Sequence, residues 1–512
     1  MRGKKPWAFP LFKKHSMLNI NMINLIRRNL LVVVLCTSFS VISCKDVWQD
    51  HNELNIQALD KTLIEQISED SNLSLFKTYL EQTGYDKVLA SSKSFTVWAP
   101  VNSALQNLDQ AIVNDKDKLK SFVGNHISYQ SYFTNTPKPS LIIRMLNGKN
   151  TTFTALKFEN ASIVDADLYV KNGVLHTINE ASVPKPNAWE YLQSSTLATK
   201  QSKFIASLER TEIDTTNGVR LFVDPVSGRT VFQEGTTFPV QRNSYFQNVS
   251  NISSEDSLIT CIILTDAAFD FEINKLSSFN HTPNVLKSDS LTKFNAVKDL
   301  VIKGVFDLNS LPDSLTAVTG VKIHLDKNAV VETRQLSNGV AYVVSSIGYK
   351  LLQNKIPTVL IQGEALDSLR TPTAPVYKIQ KDPSGKLFKQ IQVSNITSSP
   401  SPLYYYRYKA KVYATKYAVY WRCINDIYAT PISMAVKFNP LRKYDVAMAA
   451  MDYKDVPPFN AANPVTYRLE YLGEYTVTDY GDLYTFLVSS LGVTSLAPTA
   501  LSLDYIKLVP IN

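Results

Sequence analysis

Cysteine is scarce in this sequence. The chain has only four cysteines in 512 residues, and no two of them form a CxxC pair. This excludes a disulfide-stapled scaffold and gives no zinc-finger spacing. Cys36 and Cys44 lie near the N-terminus, whereas Cys261 and Cys423 lie far apart in apolar, strand-like segments. We therefore predict that Cys261 and Cys423 are two buried free thiols rather than one bridge.

Glycine and histidine are also few. With 17 glycines, the chain has no GxGxxG, GxxxxGK[ST] or GxSxG motif, so neither a phosphate-cradling loop nor a nucleophile elbow is supported. None of the histidines after residue 44 stands at a metal-ligand spacing from another His, Cys or acid. We predict no metal, no cofactor and no catalytic residue. The histidines after residue 44 are His51, His126, His176, His281 and His324.

Long apolar runs are absent, and the positive charge is concentrated in one segment. No run reaches the ~18 apolar residues of a membrane-spanning helix. The net charge is +8, but residues 1–43 hold seven basic residues and no acid. From residue 44 onward, 46 Lys and Arg face 45 Asp and Glu. A nearly neutral remainder gives no electrostatic case for nucleic acid as a partner.

The N-terminal segment has the pattern of an export signal. Arg27 and Arg28 precede the apolar run LLVVVL, and small or apolar residues lead to "VISC" at 41–44. "VISC" resembles a bacterial lipobox, which implies cleavage before Cys44 and acylation of that cysteine. The alternatives are an ordinary signal peptide with an incidental cysteine, or a short buried segment. We predict a lipoprotein signal peptide over 1–43, a polar tether over 44–54, and a membrane anchor through lipid on Cys44.

Residues 59–123 predict helices with one strand. "LDKTLIEQISED" and "LSLFKTYLEQTG" place apolar residues three to four apart, and Gly84 is a plausible helix stop. "SFTVWAPVNSAL" predicts a strand followed by a helix with Asn102 or Ser103 as its N-cap. Residues 140–182 predict strands joined by Asn-Gly turns.

Three separated segments carry a family resemblance. "FTVWAPVNSAL" (95–105), "FVGNHIS" (122–128) and "VKNGVLHTINEASV" (170–183) together resemble the signature motifs and the intervening histidine of a fasciclin (FAS1) domain. The resemblance implies a domain over 55–190 with a role in adhesion. Every motif also has a folding role. In the last motif, for example, the Asn172–Gly173 turn needs a positive φ. The motifs by themselves therefore indicate no activity.

The same pattern recurs more loosely downstream. Residues 257–271, 297–308 and 332–346 correspond to the three motifs, which predicts a degenerate fasciclin-like domain over 197–348. A hairpin insert is predicted over 218–235.

The two histidines of the first repeat have no histidine counterparts in the second. Leu300 stands at the position of His126, and Tyr342 at that of His176. His126 and His176 could form a base–partner pair, but we favour hydrogen-bonded structural histidines, because the second repeat lacks both.

Residues 356–512 read as short alternating strands, which predicts a β-sandwich. The closing "LDYIKLVP" resembles the last strand of galactose-binding-like jelly rolls. This region holds 17 of the 26 tyrosines. Alternation places Tyr404, Tyr406 and Tyr408 on one face and Tyr405 with Arg407 on the other. Tyrosines here either stack on sugar rings or pack as scaffold, and both interpretations stay open. Trp421 comes directly after this run of strand residues, so we do not expect it at the surface.

Asp-Ser-Leu occurs four times and resembles the O-glycosylation acceptor of Bacteroidetes. This implies sugars on Ser257, Ser290, Ser314 and Ser368. The alternative is that Asp and Ser are common turn residues.

The sequence as a whole predicts an α+β protein with two fasciclin-like domains followed by an all-β C-terminal sandwich. The architecture resembles lipoproteins of the Bacteroidetes outer membrane near glycan-uptake systems. We therefore expect a non-catalytic, lipid-anchored protein of the bacterial outer membrane, exposed at the cell surface, that binds a glycan or a surface protein. The alternative is a structural or adhesive envelope subunit that binds only protein, and a glycan-active hydrolase is less favoured.

Overall fold

The computed structural model describes residues 59–135, 138–382, 384–396, 404–443, 448–460, 468–490 and 499–511. The predicted signal peptide, the tether and Cys44 lie outside the described residues. The chain divides into two compact units, with the boundary between Val183 and Pro184. Among the helices that the structure describes, none has both the length and the apolarity to cross a membrane.

The first unit has a helical layer and one mixed sheet. Its helices are α1 (Leu63–Glu69), α2 (Ser74–Thr83), α3 (Tyr85–Leu89), α4 (Asn102–Leu105), α5 (Gln110–Val113) and α6 (Lys116–Gly124). Its strands are β1 (Phe95–Pro100), β2 (Ile127–Ser128), β3 (Leu141–Arg144), β4 (Asn150–Phe153), β5 (Lys157–Phe158), β6 (Ala161–Val170) and β7 (Gly173–Ile178). The strand order is β2-β1-β7-β6-β5-β4-β3, and the central pair β1–β7 is parallel. β1 and β7 are buried along their whole length, as is typical of parallel strands covered on both faces.

One sequence-based prediction for the helix ends of this unit is confirmed, and another is wrong. Gly84 ends α2 with a φ of +75°, as predicted. The N-cap prediction at Asn102 or Ser103 is wrong, because α4 begins at Asn102 and has Val101 as its N-cap. The Asn102 side chain instead accepts a hydrogen bond from the backbone N–H of Leu75 in α2, at 2.9 Å. Asn102 therefore ties α4 to the start of another helix.

The second unit begins with a smaller version of the same arrangement. Its helices are α7 (Ala188–Ser194), α8 (Thr199–Ala206), α9 (Ser244–Asn248), α10 (Asp266–Leu276) and α11 (Val285–Val297). The strands of this part are β8 (Glu209–Asp214), β9 (Arg220–Val223), β10 (Thr230–Phe232), β11 (Phe238–Asn243), β12 (Ile259–Leu264), β13 (Val301–Lys303), β14 (Leu315–Thr316), β15 (Lys322–Ile323), β16 (Val330–Leu336) and β17 (Gly339–Val344). A four-stranded sheet has the order β13-β12-β17-β16, with β12 and β17 parallel.

Helix α7 belongs to the core of the second unit. Ala188, Tyr191 and Leu192 are buried there among side chains of β12 and β17. The sequence-based first domain extends to residue 190, whereas the compact division puts all of α7 in the second unit. The capping box between Asn187 and Glu190 starts this helix just after the Pro-containing linker.

The predicted insert over 218–235 forms the ribbon β9–β10, and a second ribbon, β8–β11, flanks it outside the predicted bounds. The turn at Ser227–Gly228 joins β9 to β10, as predicted, and Gly228 has a φ of +65°. Leu221, Phe222 and Val223 are consecutive and each about 60% exposed. Because neighbouring residues of a strand point to opposite faces, both faces of the ribbon meet solvent.

A short π-helix, Leu351–Lys355, follows β17, and from β18 onward the second unit is all β. Its strands are β18 (Val359–Gln362), β19 (Ser368–Arg370), β20 (Val376–Lys381), β21 (Leu387–Ile396), β22 (Tyr405–Val412), β23 (Lys416–Arg422), β24 (Ile432–Asn439), β25 (Ala449–Ala450), β26 (Lys454–Val456), β27 (Glu470–Thr476), β28 (Gly481–Ser489), β29 (Thr499–Leu503) and β30 (Tyr505–Ile511). They form sheets of order β18-β30-β23-β27, β19-β22-β28-β24-β25 and β20-β21-β29, with β26 paired to β24. Inward side chains from all three sheets share one core.

Candidate binding site

His126 is a buried structural residue. Its Nδ1 lies 2.9 Å from the backbone oxygen of Phe122, and its Nε2 accepts from the N–H of Ser182 at 3.2 Å. Since a carbonyl oxygen can only accept, Nδ1 carries the proton and the ring is neutral. Burial lowers the pKa of His126 to about 4. Both ring nitrogens are therefore used by the backbone.

His176 is held in the same way. Its Nε2 donates to the backbone oxygen of Tyr132 at 2.9 Å, and its Nδ1 accepts from the N–H of Asp167 at 3.1 Å. The ring stacks on Trp98 with centroids 5.6 Å apart, and burial lowers its pKa. With no ring nitrogen left for another residue or a substrate, the contacts of both histidines are those of structural residues and not of a base–partner pair.

The second unit repeats these positions with other side chains. Tyr342 pairs with Ile262 across β17 and β12, as His176 pairs with Trp98 across β7 and β1. The hydroxyl of Tyr342 donates to the backbone oxygen of Phe306 at 2.6 Å, which replaces the bond that His176 makes.

Leu300 likewise occupies the position of His126. Its backbone oxygen accepts from Ile262 N–H at 2.8 Å, and that of His126 accepts from Trp98 N–H at 2.9 Å. Both correspondences predicted from the sequence are confirmed by these registers.

A pair of asparagines shows the repeat most clearly. Asn172 accepts from the N–H of Leu63, the first residue of α1, at 2.8 Å and donates to two backbone oxygens of the α3 end and its following turn. Asn338 accepts from the N–H of Ala188, the first residue of α7, at 2.9 Å and donates to the backbone oxygens of Ile252 and Ser254. The same side chain thus clamps the first helix onto the sheet in both units.

The cysteine prediction is confirmed. Cys261 and Cys423 are free and buried, and burial raises the pKa of Cys261 to about 12. Within the described ranges no group of three or more His, Cys, Asp or Glu residues is placed to hold a metal ion.

The tyrosine faces of β22 are as predicted. Tyr406 and Tyr408 are fully buried and face the core, and Trp421 is 2% exposed. On the opposite face, Arg407 pairs with Asp367 at 2.6 Å. These tyrosines are scaffold. Other tyrosines of the β region are accessible to a ligand: Tyr471 on the outer face of the neighbouring sheet and Tyr377 on β20 are each 47% exposed.

An open groove of about 940 Å³ lies on that outer face. One wall is the sheet face, where Gln362, Tyr505 and Arg422 stand side by side on β18, β30 and β23. The next row along these strands runs Leu360, Lys507 and Tyr420. The facing wall is the β20–β21 hairpin, and its lining residues are Ile379, Asp382, Lys386, Leu387, Phe388 and Lys389.

Tyr505 is the aromatic centre of the groove. The guanidinium of Arg422 lies 4.9 Å from the Tyr505 ring centroid and 3.9 Å from the carboxylate of Asp504. Beyond the groove, the rings of Tyr420 and Tyr471 lie 5.3 Å apart on the same sheet. Glu364 also lines the groove, and its Oε2 accepts no hydrogen bond from the residues that the structure describes. Such a surface offers stacking and hydrogen bonding to a polyhydroxylated ligand.

The sequence analysis did not identify this groove. Its sheet wall joins β18 and β30, which are more than a hundred residues apart along the chain, so no local pattern marks it. One available signal was the segment 376–389, which carries four lysines and one acid.

The four Asp-Ser-Leu serines have different settings. Ser257 and Ser314 are exposed outside regular structure, whereas Ser290 is exposed on α11 and Ser368 is half-buried at the start of β19. Sugar attachment stays a prediction.

Comparison with known proteins identifies the class of the first unit. Residues 71–184 match the sequence model of the Fasciclin domain family, and the chain therefore carries a fasciclin (FAS1) domain. The Synechocystis protein sll1483 is 26% identical over 133 residues, which cover 24% of this chain and 73% of that protein.

Solved structures with low similarity include a fasciclin pair and a carbohydrate-binding module. The FAS1 domain pair of the insect adhesion molecule Fasciclin I is 14% identical, at a TM-score of 0.22, over 56% of this chain and 98% of that chain. The C-terminal CBM6 module of LamC, from Zobellia galactanivorans, is 9% identical, at a TM-score of 0.19, over 30% of this chain and 98% of that module.

Proposed function

We propose that the protein is a non-catalytic adhesion protein that binds a glycan or a surface protein through its C-terminal β region. Fasciclin domains are generally adhesion-related and not enzymatic, which supports the class of function. The observation that carries the proposal for the β region is the groove around Tyr505, in which an aromatic ring and an arginine stand side by side.

The β region would then be a galactose-binding-like jelly roll, and the fasciclin-type domains a spacer or docking platform. The architecture and the lipobox-like "VISC" support a second part of the proposal, that an acyl anchor on Cys44 holds the protein in a bacterial outer membrane. There it would work beside a glycan-uptake system.

Binding of the full chain to immobilised glycans and to envelope proteins tests the adhesive role. We expect retention on at least one of these surfaces and its loss in Tyr505→Ala, with Tyr129→Ala as a control, since Tyr129 is exposed in the other unit. Failure of the full chain to adhere to either class of surface would contradict the proposal. Release of new reducing ends from a bound glycan would contradict its non-catalytic character.

The anchor has a separate test. In producing cells, Cys44→Ala should abolish incorporation of an alkyne-labelled fatty acid and release the protein from membranes. Labelling that persists in this variant would contradict lipidation at Cys44.

A second candidate is an adhesive envelope subunit that binds only protein. The exposed ribbon β9–β10 with Leu221 to Val223 favours it, because exposed apolar clusters are typical of protein contacts. Silence of the full chain on a broad glycan array, with retained binding to envelope proteins, would favour this candidate over the first.

A further inference from the structure

We propose that the groove around Tyr505 binds a glycan bearing acidic groups, a uronate or a sulfate ester. This inference rests on the proposed binding function and adds the charge of the ligand. Three features of the groove carry it: where its positive charges stand, how its carboxylates are held, and which uncharged contacts lie between them.

The positive charges stand at the exposed parts of both walls. Lys386 and Lys389 are exposed on the hairpin, and Lys507 is half-buried on the facing strand β30. Lys389 lies over the ring of Tyr377, with its Nζ 4.9 Å from the centroid, so its ammonium is held at the hairpin surface. The hairpin carries one more exposed lysine, Lys381, whereas Lys378 is paired with Asp426 at 2.9 Å. An approaching ligand therefore meets ammonium groups first.

The carboxylates of the groove are engaged or recessed. One oxygen of Asp382 accepts from the backbone N–H groups of Ser384 and Lys386 at 2.9 and 2.8 Å, which fixes it in the hairpin turn. Asp504 is 3% exposed and faces the guanidinium of Arg422. The Oε2 atom of Glu364 is shielded from solvent. These acids keep their charge, so the lining holds four cations against three carboxylates, and the lysines hold the more exposed positions.

The floor between these charges suits a sugar rather than a simple anion. The Tyr505 ring offers a flat apolar contact, and Gln362 beside it offers amide donors and an acceptor. The guanidinium of Arg422 lies over one face of the same ring, 4.9 Å from its centroid, so a sugar would contact the other face. Guanidinium and ammonium groups bind carboxylates and sulfates by charge-assisted hydrogen bonds. Ring contacts and acid contacts are thus available to one ligand at once.

Matched polymers test the charge of the ligand on the full chain. Polygalacturonate is compared with its methyl-esterified form, dextran sulfate with dextran, and polyglutamate serves as an anion without sugar. We expect one or both acidic glycans to bind, their neutral counterparts to bind at least about tenfold more weakly, and polyglutamate not to compete. Which acidic glycan binds separates carboxylate from sulfate recognition.

Two double variants with the same change in net charge test the place of binding. Lys389→Gln with Lys507→Gln should weaken binding about tenfold, because each contact with an exposed charge contributes about three- to fivefold. Lys287→Gln with Lys303→Gln, at two exposed positions on α11 and β13, should leave binding unchanged. Hydrogen exchange of β30 in each variant verifies that the sheet is intact.

The outcomes separate this inference from the proposed function. Equal binding of neutral and acidic glycans, lost in the groove variant, overturns the acidic ligand but leaves glycan binding in place. Equal weakening by both double variants, or displacement by polyglutamate, overturns the groove as an acidic-glycan site. Binding of none of the polymers, with adhesion to proteins retained, overturns this inference and favours the protein-only candidate.

Discussion

The backbone oxygen of Phe95 lies 1.9 Å from the point where a Cβ atom on Gly173 would stand. The second unit repeats this approach between Ile259 and Gly339, at 1.8 Å. In both units the glycine begins the central strand at a positive φ. The two parallel strands can pair at this distance only because that position carries no side chain.

Gly173→Ala should therefore destabilise the first unit by about 3 kcal/mol or more, because the new methyl group overlaps the backbone of β1. Gly148→Ala is the matched control, since Gly148 also has a positive φ, of +82°, but open space around it. That variant should cost only about 1 kcal/mol. Chemical denaturation of the full chain, followed by hydrogen exchange in β1 and β7, measures both. Equal costs for the two variants would contradict the close approach.

The neutral, buried His126 predicts a loss of stability in mild acid. The folded pKa of about 4 lies below the ordinary value of 6.5, so folding favours the unprotonated ring. The folded protein therefore has its full stability above about pH 6.5. As the pH falls toward 4, protonation of this group lowers the free energy of unfolding by about 3 kcal/mol at most. His176 acts in the same direction.

The variant His126→Leu, which copies Leu300, isolates this effect. It should flatten the pH dependence of hydrogen exchange in β1 and β7 between pH 6.5 and 4. It should also lower stability at pH 7 by about 1–3 kcal/mol, because the N–H of Ser182 and the oxygen of Phe122 lose their partner. A variant as sensitive to acid as the parent chain would show that His126 is not the titrating group.

A buried ion pair lies in the second unit. Lys355 is 1% exposed, and its Nζ lies 2.8 Å from the carboxylate of Asp299, which also contacts Lys298 at 2.8 Å. These lysines hold the pKa of Asp299 below its usual value despite burial. Lys355→Met should cost about 3 kcal/mol, because a buried carboxylate loses one of its two cations.

The neighbouring Lys350 supplies the control for this pair. It is exposed, and Lys350→Met should change the denaturation midpoint very little. A midpoint equally unchanged in Lys355→Met would mean that the pair contributes no net stability.

The thiols of Cys261 and Cys423 should be inert in the folded protein. Both are buried, and burial raises the pKa of both, so almost no thiolate forms near pH 7. A maleimide reagent should label neither in buffer and both after unfolding in urea, as counted by peptide mass spectrometry. Rapid labelling of Cys261 in buffer would place it at a surface.

Sequence patterns predicted the features that depend on local periodicity. The alternation in β22 identified Tyr406 and Tyr408 as inward residues, and the repeat placed Leu300 and Tyr342 in register with His126 and His176. Contacts between distant segments could not be predicted in this way. Asn102 bonds to a helix 27 residues earlier.

The groove depends even more on contacts between segments that are far apart in the sequence. Its neighbouring residues Leu360 and Lys507 come from the first and last strands of the β region. Only the pairing of β18 with β30 brings them together, and no spacing in the sequence encodes that pairing.

The exposed ribbon β9–β10 has a consequence for proteolysis. A two-stranded ribbon without a covering layer opens at little cost in free energy, and Leu221 and Phe222 are large apolar residues of the kind that many endoproteases cleave after. A cut there severs the chain outside every core, and the pairing of β8 with β11 and the core of the second unit still hold the two pieces. The protein can thus become a two-chain molecule while its folded units stay intact.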